Sequence, residues 1–240
     1  MFLELAEVLD CPDCRASAGL VAFVDRAERQ RVIEGRLGCP LCEIEVPIRR
    51  GTMRFDLSGA ARRASGAGSA DPARPGPPLP GPPLPGPPLP GPPLPGPAAE
   101  TALRIAALLG VTDRAGQVVL LGPGLAGHAG RLARMGDRLE VVVWLDARGD
   151  PAAPGVADLE AGVDPLLGAA PGGWPVRSGA LHGVALTGPL ALDLTEIERC
   201  VRPGARLFVA EPTSEDLEAL SESGFGELAA DPTAWVGERR

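Results

Sequence analysis

Apolar and polar residues alternate along the chain in short blocks whose spacing predicts separate strands and helices. Two early segments, Leu20–Asp25 and Gln30–Leu37, are rich in strand-forming residues and predict a hairpin. Apolar residues recur at helical spacing over Ala98–Leu109, and this helix is expected to end at Gly110. Two later apolar runs, Val118–Leu121 and Glu140–Leu145, predict strands.

A proline-rich segment separates these two groups of elements. From Gly76 the sequence GPPLP is repeated four times without a break. Proline fixes φ and lacks an amide donor, so we expect an extended, disordered rod that could reach about 65 Å. PPLP also resembles ligands of WW and SH3 domains, but a spacer is the favoured interpretation. The predicted organisation is a domain at 1–57, a linker at 58–97 and a domain at 98–240, with the two ends nearly independent.

Composition and charge narrow the possible functions. The chain contains no Lys, which excludes a lysine Schiff base and a P-loop. Residues 98–240 carry 12 Arg and 20 Asp or Glu, and they account for the whole net charge of −8. Binding to the phosphate backbone of a nucleic acid needs positive charge, so nucleic-acid binding is not favoured. No apolar run is long enough for a membrane span, and the start MFLELAEVLD does not resemble a signal peptide. A cytoplasmic location is therefore expected, where paired cysteines indicate a metal site more than disulfides.

Four cysteines have the spacing of metal ligands. Cys11 and Cys14 form one CxxC pair, and Cys39 and Cys42 form a second pair after 24 intervening residues. Two such pairs can present four thiolates to one tetrahedral zinc ion, and a module of this size needs such a staple. A redox dithiol and an iron–sulfur site are the alternatives, and zinc is favoured over both. Cys200 stands apart and is expected to be an ordinary buried residue.

The sequence around the cysteines resembles a known zinc-ribbon family. LAEVLDCPDC and GRLGCPLCEIEVPIRRGTMRF are similar to the family that includes the small activator subunit of tRNA and protein methyltransferases. The match rests on the leading apolar turn Leu5–Leu9 and on a closing segment with Val46-Pro47-Ile48 and Gly51. Val46 stands where the family has an aromatic residue, and Thr52-Met53 replaces Ile-Pro. The resemblance implies a stabilising or partner-binding platform, with a possible protein partner on the ribbon.

A glycine-rich turn follows the first strand of the second domain. Gly122, Gly124 and Gly127 come directly after Val118–Leu121, and Asp146 lies 19 residues beyond the last glycine. A strand, a glycine turn, a helix and an acid about 20 residues later are typical of a dinucleotide-binding half. In that arrangement the glycine backbone approaches the ligand, and the acid accepts hydrogen bonds from ribose hydroxyls.

The rest of the second domain resembles class I S-adenosylmethionine-dependent methyltransferases of the type 11 group. The resemblance runs from a loop at Trp174-Pro175-Val176 through the tight turn Arg202-Pro203-Gly204 to a terminal helix and hairpin in SGFGELAADPTAWVGERR. It implies a strand at Val184–Leu186, a helix at Leu190–Val201 before the tight turn, and a strand at Arg206–Ala210 after it. It implies an α/β, Rossmann-like fold of methyltransferase type with the small zinc ribbon in front. It also implies S-adenosylmethionine as cofactor, bound by the three glycines and Asp146.

Several family residues are replaced by others. Leu120 stands where an acid usually holds the methionine part of the cofactor, the acid that reads the adenine is missing near Ala170, and His182 replaces an Asp. His128 and His182 are expected to be structural, so no catalytic residue is assigned. Two interpretations remain open. The protein is either a methyltransferase of unidentified substrate, or a non-catalytic scaffold or regulatory partner.

Overall fold

The computed structural model describes residues 1, 3–15, 18–28, 31–55, 97–111, 117–135, 139–145, 163–167, 174–190 and 193–240. The GPPLP repeats, Asp146 and the region around Ala170 lie outside these described residues. The predictions made for them therefore stay predictions.

The N-terminal part is a short helix followed by two hairpins. Its elements are α1 at Leu5–Val8, β1 at Val21–Glu28, β2 at Arg31–Gly38, β3 at Glu45–Arg49 and β4 at Thr52–Arg54. The predicted hairpin is confirmed as β1 and β2, which pair antiparallel. Both cysteine pairs lie in the turns that flank this hairpin.

The C-terminal part alternates strands and helices before ending in a hairpin. Its elements are α2 at Pro97–Leu109, β5 at Gln117–Leu121, a 3-10 helix at Pro123–His128, α3 at Ala129–Ala133, β6 at Leu139–Leu145, β7 at Val163–Leu167, β8 at Leu181–Thr187, α4 at Leu194–Cys200, β9 at Val201–Ala210, α5 at Ser214–Ser221, β10 at Phe225–Asp231 and β11 at Ala234–Arg239. In the described part of the chain, no helix combines the length and apolar character needed to cross a bilayer.

The eleven strands of the described residues form one sheet in the order β1-β2-β3-β4-β7-β6-β5-β8-β9-β11-β10. The five strands β7-β6-β5-β8-β9 run parallel, and β11 and β10 close the far edge in antiparallel pairing. The chain order reverses between β5 and β8, as it does at the centre of doubly wound sheets. The predicted α/β, Rossmann-like fold with a small four-cysteine ribbon in front is confirmed.

Apolar side chains on both faces of the central strands explain their burial. In β5, Val118 and Leu120 join the core on one face, and Val119 and Leu121 join the core on the other. Continuous apolar runs of this kind are typical of parallel strands covered on both sides. Helices α2 and α3 cover the second face, and α4, α5 and the ribbon cover the first.

The ribbon is joined directly to the second domain, so the prediction of nearly independent ends is wrong. Strand β4 pairs parallel with β7, through Met53 opposite Leu166 and Arg54 opposite Leu167. A second connection is the antiparallel bridge between Leu9 and Val176. Apolar periodicity shows which residues are buried but not which strand edge they meet, and for this reason the sequence did not reveal the pairing.

The ribbon also covers a face of the sheet that a crossover helix often covers in α/β folds. The connection from β7 to β8 spans residues 168–180, and its described part, 174–180, contains no helix. Leu5, Leu9 and Phe55 of the ribbon instead belong to the same continuous core as Leu120 and Trp144 of the sheet. The ribbon is thus part of the hydrophobic core of the second domain.

Two predicted boundaries differ from the structure near β9. Helix α4 begins at Leu194, where Asp193 caps it by accepting a hydrogen bond from the Thr195 amide. The predicted turn Arg202–Gly204 lies inside β9 as a bulge, because Leu181 pairs with Val201 whereas Gly183 pairs with Arg206. Gly204 has φ +76°, a conformation that favours glycine, and this lets the strand resume after the bulge.

Candidate metal centre and ligand-binding edge

The four predicted cysteine ligands meet at one point. The Sγ atoms of Cys11, Cys14, Cys39 and Cys42 all lie within 4.8 Å of one another. Cys11 and Cys42 are separated by 3.4 Å, and Cys14 and Cys39 by 3.6 Å. Zinc–sulfur bonds of about 2.3 Å give sulfur–sulfur separations of about 3.8 Å in a tetrahedron, so the donor set has the size and chemistry for a metal ion.

The two cysteine turns have the same backbone construction. The Arg15 amide donates to the Cys11 carbonyl at 3.1 Å, and the Glu43 amide donates to the Cys39 carbonyl at 3.2 Å. The residue after each pair, Arg15 or Glu43, is left-handed, with φ of 53° and 59°. This conformation costs a non-glycine residue about 1–2 kcal/mol. The repetition indicates that both turns are held in a geometry suited to a shared ligand.

Hydrogen bonding and burial give the thiols unequal acidity. Burial raises the pKa of the Cys11 thiol to about 12. Burial acts in the same direction on Cys39, but amide hydrogen bonds from Cys42 and Leu41 outweigh it and bring the pKa of Cys39 to about 7. A metal that binds all four sulfurs must therefore displace protons from the buried thiols.

Charged residues connect the first cysteine turn to the segment before β8. The buried Asp10 carboxylate lies 3.6 Å from Arg177 Nε and 4.0 Å from Arg199 Nη1. Arg199 also donates to the carbonyls of Val176 and Trp174, at 2.7 and 3.0 Å. This cluster was not predictable from the sequence, because its members lie far apart in the chain and belong to no motif.

The glycine-rich turn sits at the carboxyl end of β5, as predicted. Gly122 directly follows the strand, and its amide donates to the Ala185 carbonyl of β8 at 2.8 Å. A Cβ atom on Gly124 would lie 2.6 Å from Thr187 Oγ1, so close packing against β8 requires glycine there. A Cβ on Gly127 would meet nothing within 4 Å. The structure brings the three glycines to one edge, while the fourth predicted contact, Asp146, lies outside the described residues.

Backbone donors along this edge already have partners within the protein. The Gly188 amide donates to Ala210 and the Glu211 amide donates to Thr233, both at 2.8 Å. The Asp216 carboxylate accepts from the amides of Leu190 and Thr213, also at 2.8 Å. In the described part of the chain, the loops after β8 and β9 are thus tied together through groups that could otherwise bind a ligand.

The described residues do not fit the methionine part of S-adenosylmethionine. Leu120, at the position of the missing acid, is fully buried in the core under β5. The turn after Gly122 forms a 3-10 helix that starts with Pro123, which has no amide proton, and the Leu125 amide donates to the Gly122 carbonyl at 3.0 Å, so its first residues offer few free donors. The fit of the ribose depends on Asp146 and is not described by the structure.

The two histidines and Cys200 have structural surroundings. His182 lies at the amino end of β8, where Nδ1 faces the Val118 amide at 3.2 Å and Nε2 faces Arg202 Nη1 at 2.8 Å. Burial lowers the pKa of His182, and the Arg202 charge lowers it further. His128 follows the glycine turn at the start of α3. Burial raises the pKa of Cys200 to about 12, in agreement with an unreactive core thiol.

Comparisons with known proteins return methyltransferases among solved structures. No protein-family model matches the chain, and no curated protein matches it. A SAM-dependent O-methyltransferase from Thermotoga maritima is 16% identical over 58% of this chain and 64% of that one, with a TM-score of 0.45. A tRNA methyltransferase from Aquifex aeolicus is 16% identical over 59% and 68%, with a TM-score of 0.43. Geranyl diphosphate C-methyltransferase from Streptomyces coelicolor is 12% identical over 59% and 76%, with a TM-score of 0.44. The fold assignment rests on the strand order and pairing described above.

Proposed function

We propose that this chain is a non-catalytic protein of the methyltransferase fold that acts as a scaffold or regulatory partner. The observation that carries the proposal is the state of the carboxyl edge of the parallel strands. There the amides of Gly122, Gly188, Leu190 and Glu211 donate to groups of the protein itself. A cofactor that bound through these same amides would have to replace these bonds, and a buried donor or acceptor left without a partner costs about 1–3 kcal/mol.

The core under the edge supports the same proposal. An acid at position 120 could hold the cationic amino group of the cofactor, whereas Leu120 contributes an apolar side chain that is fully buried. Gly124 is needed for its packing against Thr187, which gives the glycine turn a structural purpose without a ligand. Both residues favour a sheet that keeps the fold and has lost the polar groups of the cofactor site.

We further propose that Cys11, Cys14, Cys39 and Cys42 hold one structural zinc ion. Four protein thiolates would complete its coordination and leave no open position for a substrate. Two of the sulfurs, those of Cys11 and Cys39, belong to buried residues, in agreement with a structural site. Elemental analysis should find one zinc per chain, and iron in its place would contradict this assignment.

The partner of the ribbon, in this proposal, is first of all its own second domain. The resembled family implies a platform that stabilises or binds another protein. Here the pairing of β4 with β7 and the contact of Leu9 with Val176 support the same kind of association within one chain. The ribbon would stabilise a methyltransferase-type sheet that no longer carries out methyl transfer.

The second candidate is an S-adenosylmethionine-dependent methyltransferase of unidentified substrate. Its specific support is the place of Gly122–Gly127, at the carboxyl end of β5 and beside β8, where the strand order reverses and ligands bind in α/β sheets. Gly127 adds open space at this position, since a Cβ there would touch nothing.

Calorimetry with S-adenosylmethionine and S-adenosylhomocysteine separates the two candidates. The non-catalytic proposal expects no binding heat and no change in melting temperature at about 1 mM ligand, with a cofactor-binding methyltransferase measured in parallel as the control. Binding that Asp146→Ala weakens by about ten- to a hundredfold would favour the enzyme instead. Tight binding that Asp146→Ala leaves unchanged would show that neither the proposal nor the predicted ribose contact is correct.

A further inference from the structure

We propose that strand β1 is the contact surface for a second copy of this chain, with two β1 strands pairing antiparallel about Ala22. Strand β1 is the outermost strand of the sheet and pairs with β2 on one side. Its other edge meets no strand in the described part of the chain. This proposal does not depend on cofactor binding, since β1 and the glycine turn lie in different domains.

The free edge carries apolar side chains at unusually high exposure. Val21 is 48% exposed, Phe23 45% and Val24 46%, and Leu41 in the neighbouring cysteine turn is 67% exposed. Edge strands of monomeric proteins commonly carry charged residues that prevent pairing with another chain. A stretch of valine and phenylalanine on an edge therefore indicates a surface that a strand covers.

Phe23 is held in a fixed position on this edge. Its ring lies against the backbone of Gly38, where an added Cβ would come within 2.8 Å of the ring. The Arg36 guanidinium lies 4.8 Å from the ring centroid and is itself bound to Glu45 at 2.9 Å. Because these contacts restrain the ring, ordering Phe23 in an interface would cost little side-chain entropy.

The order of residues in β1 is self-complementary about Ala22. In an antiparallel pair centred on this residue, Val21 of each copy lies opposite Phe23 of the other. Residues directly opposite each other share a face, so the four side chains would form one apolar cluster across the pair. A two-fold contact requires such a match of a surface with itself.

The charged end of β1 selects this register. The β-bulge around Asp25 breaks the regular ladder after Val24, which restricts regular pairing to the first part of the strand. When the pair is centred on Ala22, neither Asp25 nor Glu28 of one copy lies opposite Asp25 or Glu28 of the other copy. A register shifted toward the end of β1 would bring Asp25 opposite Glu28, and like charges directly opposite destabilise a strand pair. Arg26 is bound within its own chain to Glu28 at 3.2 Å and approaches Glu34 at 3.8 Å.

Sedimentation velocity on the full metal-loaded chain, from about 1 to 400 µM, tests the proposal. A ladder this short should give a weak dimer, with a dissociation constant on the order of 10–100 µM. Phe23→Glu should weaken it at least about tenfold, because it removes the apolar contact and adds a charge on each copy. The matched control is Leu103→Glu, which changes a 61% exposed leucine of α2 and should leave association unchanged.

A charge-exchange pair tests the register and guards against simple unfolding. Val21→Glu and Phe23→Arg should each abolish association, while the double variant should restore it, since the new Glu and Arg would then face each other twice. Unchanged circular dichroism and metal content would show that each variant is folded. A chain that stays monomeric at 400 µM, or a dimer unaffected by Phe23→Glu, would overturn the proposal. Failure of the double variant to associate would overturn the register.

Discussion

The Arg15 guanidinium donates a hydrogen bond of 2.8 Å to the backbone carbonyl of Trp174. Arg15 directly follows the first cysteine pair, and Trp174 begins the described segment that leads into β8. The Trp174 ring in turn packs against Trp144 of β6, with centroids 6.1 Å apart. One short path therefore runs from the metal-ligand turn to the centre of the parallel sheet.

Removal of the metal should unfold both domains together. The chain has tryptophans at positions 144, 174 and 235 and none in the ribbon, so their fluorescence reports the second domain alone. Apparent zinc affinities of about 10–16 kcal/mol are comparable with the whole stability of a domain. We expect a strong chelator, or Cys39→Ser, to give a single unfolding transition in which tryptophan emission moves to longer wavelength.

Cys200→Ala is the control for this experiment. It removes a buried sulfur of the second domain that is not one of the four clustered ligands, so zinc content should remain one per chain. Tryptophan emission that stays unchanged after complete metal removal would show that the domains fold separately, as the sequence first suggested.

Gly124→Ala should destabilise the chain even without any ligand. The added methyl group would lie 2.6 Å from Thr187 Oγ1 and 2.8 Å from its Cγ2, so the turn or β8 must move. Overpacking of this kind typically costs about 1–3 kcal/mol in the free energy of unfolding. Gly127→Ala, in the same turn but with open space, should change it by less than about 0.5 kcal/mol. Urea denaturation of the two variants makes the comparison, and equal midpoints would mean that Gly124 is not packed as described.

Asp216 should make stability depend on pH in the acid range. Burial acts to raise the pKa of this carboxyl, but hydrogen bonds from the amides of Thr213 and Leu190 and from the Thr213 hydroxyl outweigh it and lower the pKa below its usual value. A depressed folded-state pKa means that the unfolded chain binds the proton first. The contribution of Asp216 is therefore present above a pH of about 4 and is lost as pH falls through the folded-state pKa.

Asp216→Asn should consequently cost about 1–3 kcal/mol at neutral pH, and its difference from the unmodified protein should shrink below a pH of about 4. Glu215→Gln, at the exposed neighbouring position of α5, is the matched control and should show little effect at any pH. Denaturation midpoints measured from pH 3 to pH 7 would check this. A difference that stays constant over this range would mean that the Asp216 pKa is not depressed.

Local pattern was sufficient to predict several elements and the four cysteines. Val118–Leu121 is buried on both faces, so its apolar run indicated a strand without knowledge of its neighbours, whereas the strand Val184–Leu186 was implied by the family resemblance. The spacing of the cysteine pairs restricts them to two tight turns, which is why their meeting at one point was predictable. The glycine turn lies at the end of β5, where the strand pattern predicted it, and the role of its three glycines in cofactor binding stays a prediction.

The contacts between domains could not be predicted from such patterns. Strand β4 has three residues and pairs with a strand more than a hundred residues later, and nothing in its sequence indicates that edge. Asp10 and Arg199 meet for the same reason, through the fold and not through a motif. Arg15 has a left-handed backbone conformation, but the position is not a glycine, so it could not be recognised from the sequence. Local signals thus predicted the parts of the protein, and long-range pairing determined how they are joined.

The attachment of β4 to β7 has a consequence for the history of the repeat between the domains. Buried Phe55 and the start of α2 at Pro97 belong to one folded unit, so the intervening residues close a loop within it. Closure entropy varies only with the logarithm of loop length, at about 0.6 kcal/mol for each doubling. Adding or deleting one five-residue unit would change the free energy of unfolding by only about 0.1–0.2 kcal/mol. Replication errors that expand or contract the GPPLP array would therefore escape selection on stability.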